Sequence, residues 1–376
     1  MTSSPAHALD RPFAVGDRPI GHDQPCYIIA EAGSNHGGSL ETALALVDAA
    51  ADAGADAVKF QTFKAERLYA KTAGQSDYLG DERSIFDIIA AMEMPEAWLP
   101  ILAARAKTRG LGFLSTPFHE EAVAVLDPVV EVWKIASYEL THHPLLRTVA
   151  ATGKPVIMST GAATVTEIEE AVAVLAQAGC VGLVLLQCTA AYPAPLNSVN
   201  VGALTDLRVR FQVPTGLSDH SRDPVVAPMT AAALGAAVIE KHFTLSNRLP
   251  GPDHAFAVEP HELARLVKRV RAVEVVRGSG RKAADASDID PAEEELRAFA
   301  RRTLFTTASV QAGESFTRSN VDVLRRGKRE DGLAPADLPA VLNGRAARDL
   351  GPDVVLTRGD VRGMGVASDH QDGGVA

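Results

Sequence analysis

Residues 213–224 read VPTGLSDHSRDP, and residues 236–243 read AAVIEKHF. Each stretch opens apolar, as a buried strand does, and closes on polar residues and a histidine: Ser218-Asp219-His220 in the first, Glu240-Lys241-His242 in the second. A parallel strand covered by helices on both faces is a near-continuous apolar run, so polar residues gathered at one end mark the end that opens to solvent. The same shape recurs upstream at 26–32 (CYIIAEA), 56–62 (DAVKFQT), 111–116 (LGFLST), 132–137 (VWKIAS), 155–160 (PVIMST) and 182–189 (GLVLLQCT). Most segments between these runs read as helices. SLETALALVDAAADAGA has Ser39 as N-cap and Gly54 as C-cap. TVTEIEEAVAVLAQAGC opens on a capping box, either Thr164-x-x-Glu167 or Thr166-x-x-Glu169. Strands alternating with helices in this number predict a (β/α)8 TIM barrel rather than an open doubly wound sheet. No Gly-x-Gly-x-x-Gly turn follows the first strand, which argues against a dinucleotide site.

The 376 residues carry a formal net charge of -10, which argues against a general nucleic-acid or anionic-membrane binder. Cys26, Cys180 and Cys188 are too few and too oddly spaced for a disulfide framework or a structural zinc site, so a reduced, cytoplasmic setting is expected. The opening MTSSPAHALDRPF lacks the charged start and apolar core of a signal peptide. No apolar run approaches the roughly 18 to 20 residues that span a bilayer. Residues 278–296 are rich in Gly, Ala and Asp and suit a linker leading into a short helix, and RRTLFTTASVQAGESFTRSNVDVLRRG alternates β-rich runs with turn residues. The expected organisation is a flexible N-terminus (1–24), a barrel domain (25–283), a linker (284–297), a small β-rich domain (298–362) and a flexible tail (363–376).

Barrel enzymes build their sites at the C-terminal ends of the strands, and there this chain places its hydrophilic residues. Adjacent strands lie about 4.8 Å apart, so imidazoles of His220 and His242, at the ends of the last two strands, could share one ion. Neutral imidazole suits Mn, Fe, Co and Zn alike; with oxygen donors such as Glu31, Asp253 and water nearby, an open site is expected rather than closed tetrahedral zinc. The rival reading is a pair of satisfied core histidines; in the metal reading Asp219 could orient His220 from behind rather than ligate. Lys59, Lys134 and Lys241 stand in otherwise apolar strands, where a lysine is costly unless paired or functional. With the hydroxyls of Thr116, Ser137, Ser159 and Ser218 they suit a small, highly charged anion, such as a phosphate joined to a carboxylate; a Schiff-base lysine is the alternative. Glu31 and Glu139 fit general acid–base work or contact with a sugar hydroxyl, and fit equally well salt bridges to cations.

Taken together, IIAEAGSNHGGSLETALALVDAAADAGADAVKFQTF, FLSTPF, WKIASYE, PVIMSTG, LLQCTAAYP, GLSDHS, IEKHFTL and PGPDHAFAVEP resemble the sialic acid synthase family in order and spacing. The likeness covers nearly the whole chain, and ARRTLFTTASVQAGESFTRSNVDVLR is similar to the antifreeze-like (SAF) domain that closes such synthases. The resemblance implies condensation of phosphoenolpyruvate with the aldehyde of an N-acylated amino sugar, N-acetylmannosamine or a 2,4-diacetamido-trideoxy hexose, to a nonulosonic acid plus phosphate. It implies a divalent metal on His220 and His242, Mn²⁺ first, with Mg²⁺ or Co²⁺ as alternatives. It implies phosphoenolpyruvate on Lys59, Thr116, Lys134, Ser137, Ser159 and Ser218, and the sugar on Glu31, Gln61, Tyr192 and Asp253. Glu139 matches a carboxylate associated with proton transfer. The family's domain-swapped homodimer, whose SAF arginine touches the partner's sugar, puts Arg302 at the site.

Two departures stand out. Ala190 in CTAAYP replaces an asparagine of the N-acetylneuraminate branch, which removes a hydrogen bond to the ligands, and the loop after strand two, ERLYAKTAGQSDYLGDERSIFDII, differs from those of plain N-acetylneuraminate synthases. AFAVEP adds an apolar wall that suits a 6-deoxy sugar. The alternatives are a related synthase of 3-deoxy-ulosonate phosphates, which needs an extra cationic site and lacks the appended domain, or a non-catalytic carbohydrate-binding barrel.

Overall fold

The computed structural model describes residues 9–75 and 83–364. It separates into two compact units, 1–279 and 280–376.

The first unit is built on eight parallel strands: β1 (Tyr27–Gly33), β2 (Ala57–Thr62), β3 (Gly112–Pro117), β4 (Trp133–Ile135), β5 (Val156–Ser159), β6 (Leu183–Cys188), β7 (Thr215–Asp219) and β8 (Val238–His242). Each boundary lies within two residues of the apolar run read from the sequence. The order is β3-β2-β1-β8-β7-β6-β5-β4. Its two ends, β3 and β4, are consecutive in the chain and lie side by side, so the sheet is a nearly closed barrel. Helices follow the strands, among them Leu40–Asp52, Val165–Gln177 and Pro260–Arg277. Ser39 caps the first by accepting from the Thr42 amide, and Gly54, just past its end, takes the left-handed φ of +81°. Of the two candidate capping boxes, the pair formed is Thr164–Glu167.

Strand alternation sorts every side chain of the barrel inward or outward. Tyr27, Ile29, Ala57, Leu114, Val132, Ile157, Val184, Leu186 and Val238 point inward and form one buried apolar cluster at the N-terminal end of the barrel. Their outward neighbours, such as Val58, Phe113, Trp133, Met158 and Leu185, pack with the helices. Two residues beyond the inward apolar layer come Glu31, Lys59, Thr116, Lys134, Ser159, Cys188 and Glu240, all buried. One face of each strand therefore carries both the core and the chemistry, the apolar layer below and the polar layer above.

The structure corrects the frayed N-terminus expected over residues 1–24. Phe13–Val15 and Arg18–Ile20 form an antiparallel hairpin. Val15 and Ile20 are 3% and 1% exposed and join the inward cluster at the bottom of the barrel. β3 opens with Gly112 because a Cβ there would overlap the Tyr27 hydroxyl and stand 2.9 Å from Val15 Cγ1. The hairpin strands are three residues long, too short to show a period. The remaining residues of that segment, 1–8, lie outside the described residues, as does the tail from 365.

The second unit begins at 280, ahead of the expected boundary near 285, and helix Pro291–Ala300 occupies half of the stretch read as linker. It is a small β-rich unit. Arg302–Thr306 pairs with Val321–Arg325, and Arg345–Ala346 pairs with Val361–Arg362, around a core that includes Leu304, Phe316, Val341 and Leu356.

Replacing Ile20 with alanine is expected to cost about 2–4 kcal/mol, as for a buried large-to-small change. Chemical denaturation of the barrel unit checks this; an unchanged midpoint would mean that the hairpin is not part of the core.

Candidate active site

At the C-terminal end of the barrel the inward side chains form a buried charge cluster. Lys59 Nζ lies 2.7 Å from Glu31 Oε2 and 3.8 Å from Glu240 Oε2, and donates to Thr116 Oγ1 at 3.1 Å. Lys134 Nζ lies 3.6 Å from Glu240 Oε1 and donates to Ser159 Oγ at 2.8 Å. Ser218 Oγ donates to Glu240 Oε1 at 3.2 Å, and Gln61 Nε2 to Glu31 Oε1 at 2.8 Å. The structure thus joins Glu31, Lys59, Gln61, Thr116, Lys134, Ser159 and Ser218 through Glu240. Ser137 flanks the cluster, accepting from the Gly161 amide at 2.9 Å.

The four charges divide unevenly. Burial pushes the Glu31 carboxyl up to about 7 against the pull of Lys59. Burial acts on Glu240 in the same sense, but Lys134 and Lys59 outweigh it and hold Glu240 below the usual carboxylate range. Burial opposes the charge on Lys59, yet Glu240 and Glu31 hold it above the ordinary lysine value. Lys134, with Glu240 as its nearest carboxylate, is lowered by burial. Glu240 is thus the carboxylate held ionised, and Glu31 the one that burial inclines to hold a proton.

The histidines stand beside this cluster. The rings of His220 and His242 have centroids 5.3 Å apart, and Tyr192 stacks on His220 at 4.2 Å. His220 Nδ1 lies 2.8 Å from the Thr189 carbonyl oxygen, to which it can only donate, so its Nε2 is the ring atom left for a ligand. His242 Nδ1 is buried without a hydrogen-bond partner, 3.8 Å from Asp253 Oδ2. Burial, with His220 adding to it, drives His242 well below its ordinary value and keeps it neutral. Burial raises the Asp253 carboxyl to about 6. Neutral, unpartnered imidazole is the form that binds a metal, and His242 is in that form. Burial pulls His220 down but the neighbouring Cys188 thiol raises it overall; that sulfur lies 3.9 Å from His220 Nε2, which would bind an ion once deprotonated. Among the described residues no group of three His, Cys, Asp or Glu donors converges. An ion here would take the two imidazoles and fill its other positions with oxygen donors.

Above the cluster opens a cavity of about 820 Å³, whose lining includes Gln61, Ala190, Tyr192, His242 and Asp253. Tyr192 precedes a cis proline, Pro193. Gly33, at φ +53°, brings bare backbone to the edge of the site: a Cβ there would stand 3.3 Å from Glu31 Oε1 and 3.4 Å from Gln61 Nε2.

Three readings of the sequence change here. Lys241 is not part of the anion cluster. It faces outward, bonding Asp219 Oδ2 at 2.6 Å and the Asp223 carbonyl at 3.0 Å. Asp219 therefore anchors Lys241 rather than orienting His220. Glu240, not singled out from the sequence as a site residue, is the group that connects the cluster. Strand alternation was the available signal, since Glu240 shares a face with His242 and Lys241 does not. Glu139 stands apart from the cluster, its carboxylate 3.4 Å from His142 Nδ1. Arg302, in the second unit, is exposed and donates to the Val323 carbonyl at 2.9 Å. Part of the loop after β2, residues 76–82, lies outside the described residues.

Buried lysines at the strand ends of a barrel, beside two imidazoles, make a site suited to a small anion. Residues 46–282 match the NeuB family, and the chain belongs to it. It is similar to the spore coat polysaccharide biosynthesis protein SpsE of Bacillus subtilis, 40% identical over 93% of this chain and 97% of that one. It is 36% identical to the N,N'-diacetyllegionaminic acid synthase of Legionella pneumophila, over 91% of this chain and 96% of that one. Among solved structures it resembles the N-acetylneuraminic acid synthetase of Leptospira borgpetersenii, with a TM-score of 0.68 at 34% identity over 77% of this chain and 98% of that one.

Replacing Lys241 with methionine leaves Asp219 buried and unpaired. The expected loss is about 3–5 kcal/mol of barrel stability, read by denaturant titration. Unchanged stability together with lost turnover would return Lys241 to the substrate contacts.

Proposed function

We propose that this chain condenses phosphoenolpyruvate with the open-chain aldehyde of an N-acylated amino sugar, giving a nonulosonic acid and phosphate. The observation that carries this is the pair of buried ammonium groups, Lys59 and Lys134, set among Thr116, Ser159 and Ser218 next to the imidazole pair. Such a floor suits a small anion with both a phosphate and a carboxylate, because charge-assisted bonds to buried cations are strong and directional. Relatives are named N,N'-diacetyllegionaminic acid synthase, pseudaminic acid synthase and N-acetylneuraminate-9-phosphate synthase.

In this reading Lys59, Lys134, Thr116, Ser137, Ser159 and Ser218 hold phosphoenolpyruvate, while Gln61, Tyr192 and Asp253 hold the sugar. The C2=C3 pair of phosphoenolpyruvate forms the bond from C3 to the aldehyde carbon, and the aldehyde oxygen takes a proton to become a hydroxyl. Water adds at the electron-poor C2 and loses a proton; the C2 hydroxyl then closes to a ketone as the C2–O(phosphate) bond breaks, and its proton leaves with phosphate. Glu31, whose carboxyl holds a proton near neutrality and bonds Gln61 at the cavity edge, is the better-placed group for proton transfer, with Glu139 as the second carboxylate. His220 and His242 would hold a divalent ion, Mn²⁺ by family resemblance, which supplies Lewis-acid polarisation of the aldehyde. The small unit is assigned as an SAF domain of a cytoplasmic homodimer, in which Arg302 reaches the partner's sugar.

With Mn²⁺, phosphoenolpyruvate and a suitable amino sugar, phosphate release is expected to depend on the sugar. Chelation should abolish it, and His242→Ala should lower kcat by about 10²–10³-fold, the cost of losing one electrostatic stabiliser. Full turnover in metal-free protein would contradict the assignment of the ion. Arg302→Ala should raise the sugar KM well beyond any change in the phosphoenolpyruvate KM; equal effects would remove Arg302 from the sugar site.

A further inference from the structure

Two tyrosines at the mouth of the large cavity are left unpacked. Among the large apolar side chains that the described residues expose, Tyr69, at 40%, and Tyr138, at 60%, are the two that also line it. Deeper in, the aromatic lining is packed: Phe63 meets Phe118 edge to face at 5.6 Å, and Tyr192 stacks on His220. No hydrogen bond to a described residue holds the phenol of Tyr69 or Tyr138. Both are presented by anchored backbone. Tyr138 is the middle residue of the turn Ser137–Glu139, in which Ser137 accepts from the Gly161 amide and Glu139 lies beside His142. Tyr69 follows the short helix Ala65–Leu68, its amide donating to the Ala65 carbonyl at 2.9 Å, and the Ala65 amide in turn donates to Glu93 Oε1 at 2.7 Å. Burial raises the Tyr138 phenol, with Cys188 and Tyr69 adding to it, so it stays a hydrogen-bond donor at neutral pH.

Resting on the synthase reading above, we infer that Tyr69 and Tyr138 position the acceptor at the mouth of the cavity: their ring faces pack on the C–H groups of its chain, and their hydroxyls donate to an acylamido carbonyl. A tyrosine offers an apolar face and a polar tip together, and an acylated amino sugar presents the matching pair of surfaces. An open-chain aldehyde whose reacting end lies by the imidazole pair is free to turn about each C–C bond. Contact at its far end removes that freedom and holds the aldehyde in line for attack. Tyrosine suits the task because it gives a large contact area while ordering only two torsions. Phosphoenolpyruvate, on the lysine floor, touches neither ring in this arrangement, so the two tyrosines act on one substrate alone.

The test reads phosphate release from the full chain with Mn²⁺ and phosphoenolpyruvate, offering N-acetylmannosamine and 2,4-diacetamido-2,4,6-trideoxy hexoses as acceptors. With the acceptor that the wild-type protein turns over, Tyr138→Ala and Tyr69→Ala should each raise its KM by at least about 10-fold. The phosphoenolpyruvate dissociation constant, titrated calorimetrically without sugar, should stay at the wild-type value. Both side chains are exposed, so the denaturation midpoints are expected to be unchanged. Tyr138→Phe and Tyr69→Phe keep the ring and should raise the acceptor KM by about 2- to 10-fold. Alanine variants with a wild-type acceptor KM would overturn the inference and leave the synthase reading standing. So would an equal loss of phosphoenolpyruvate binding, or a changed oligomeric state in sedimentation, which would mean that a second copy of the chain covers the rings. Phosphate release with none of the acceptors would overturn both.

Discussion

The Glu240 carboxylate stands between two buried ammonium groups, 3.8 Å from Lys59 and 3.6 Å from Lys134, and the site is arranged around that bridge. Two lysines buried in a barrel interior repel each other and cost desolvation. They are tolerated because the Glu240 carboxylate compensates the charge, because Glu31 lies 2.7 Å from Lys59, and because Thr116 and Ser159 accept hydrogen bonds from the ammonium groups. The bridge in turn requires strict alternation: β8 must send Glu240 and His242 inward and Lys241 outward. A one-residue slip of β8 would exchange them, exposing Glu240 to the helices and placing Lys241 beside two other lysines. The outward Lys241–Asp219 pair guards against that slip, since it ties β8 to β7 on the opposite face.

Much of this was legible in the sequence. A buried parallel strand announces itself as an apolar run, and all eight runs became strands because helices cover each of them on the outside. The rim residues were legible for the same reason: in a barrel, a polar side chain at the end of an apolar strand stands where the strand meets solvent. What the sequence hid was orientation. Lys59, Lys134 and Lys241 look alike as lysines within apolar runs, and only parity against the inward apolar layer separates the first two from the third. The hairpin at 13–20 was missed because two three-residue strands carry no period, and its partners, Tyr27 and Gly112, are remote in sequence. The role of Glu240 was masked by its neighbours, since a carboxylate between an isoleucine and a lysine reads as a local ion pair.

The division of the cavity follows from the same geometry. The floor is made by the ends of the hydrogen-bonded strands, and it holds the buried charges. The wall is made by residues just past the strands and by the helix Ile85–Met92, elements that can change without disturbing the barrel. Barrel folds commonly keep their chemistry on the strand ends and vary the loops around it.

The central claim is that Lys59 and Lys134, joined by Glu240, form the seat for an anionic substrate. Calorimetric titration of phosphoenolpyruvate, without sugar, into wild-type and Lys134→Met protein addresses it directly. Loss of one charge-assisted contact is expected to weaken the dissociation constant by roughly 10- to 150-fold. An unchanged dissociation constant in folded Lys134→Met would contradict the account and move the anion site elsewhere.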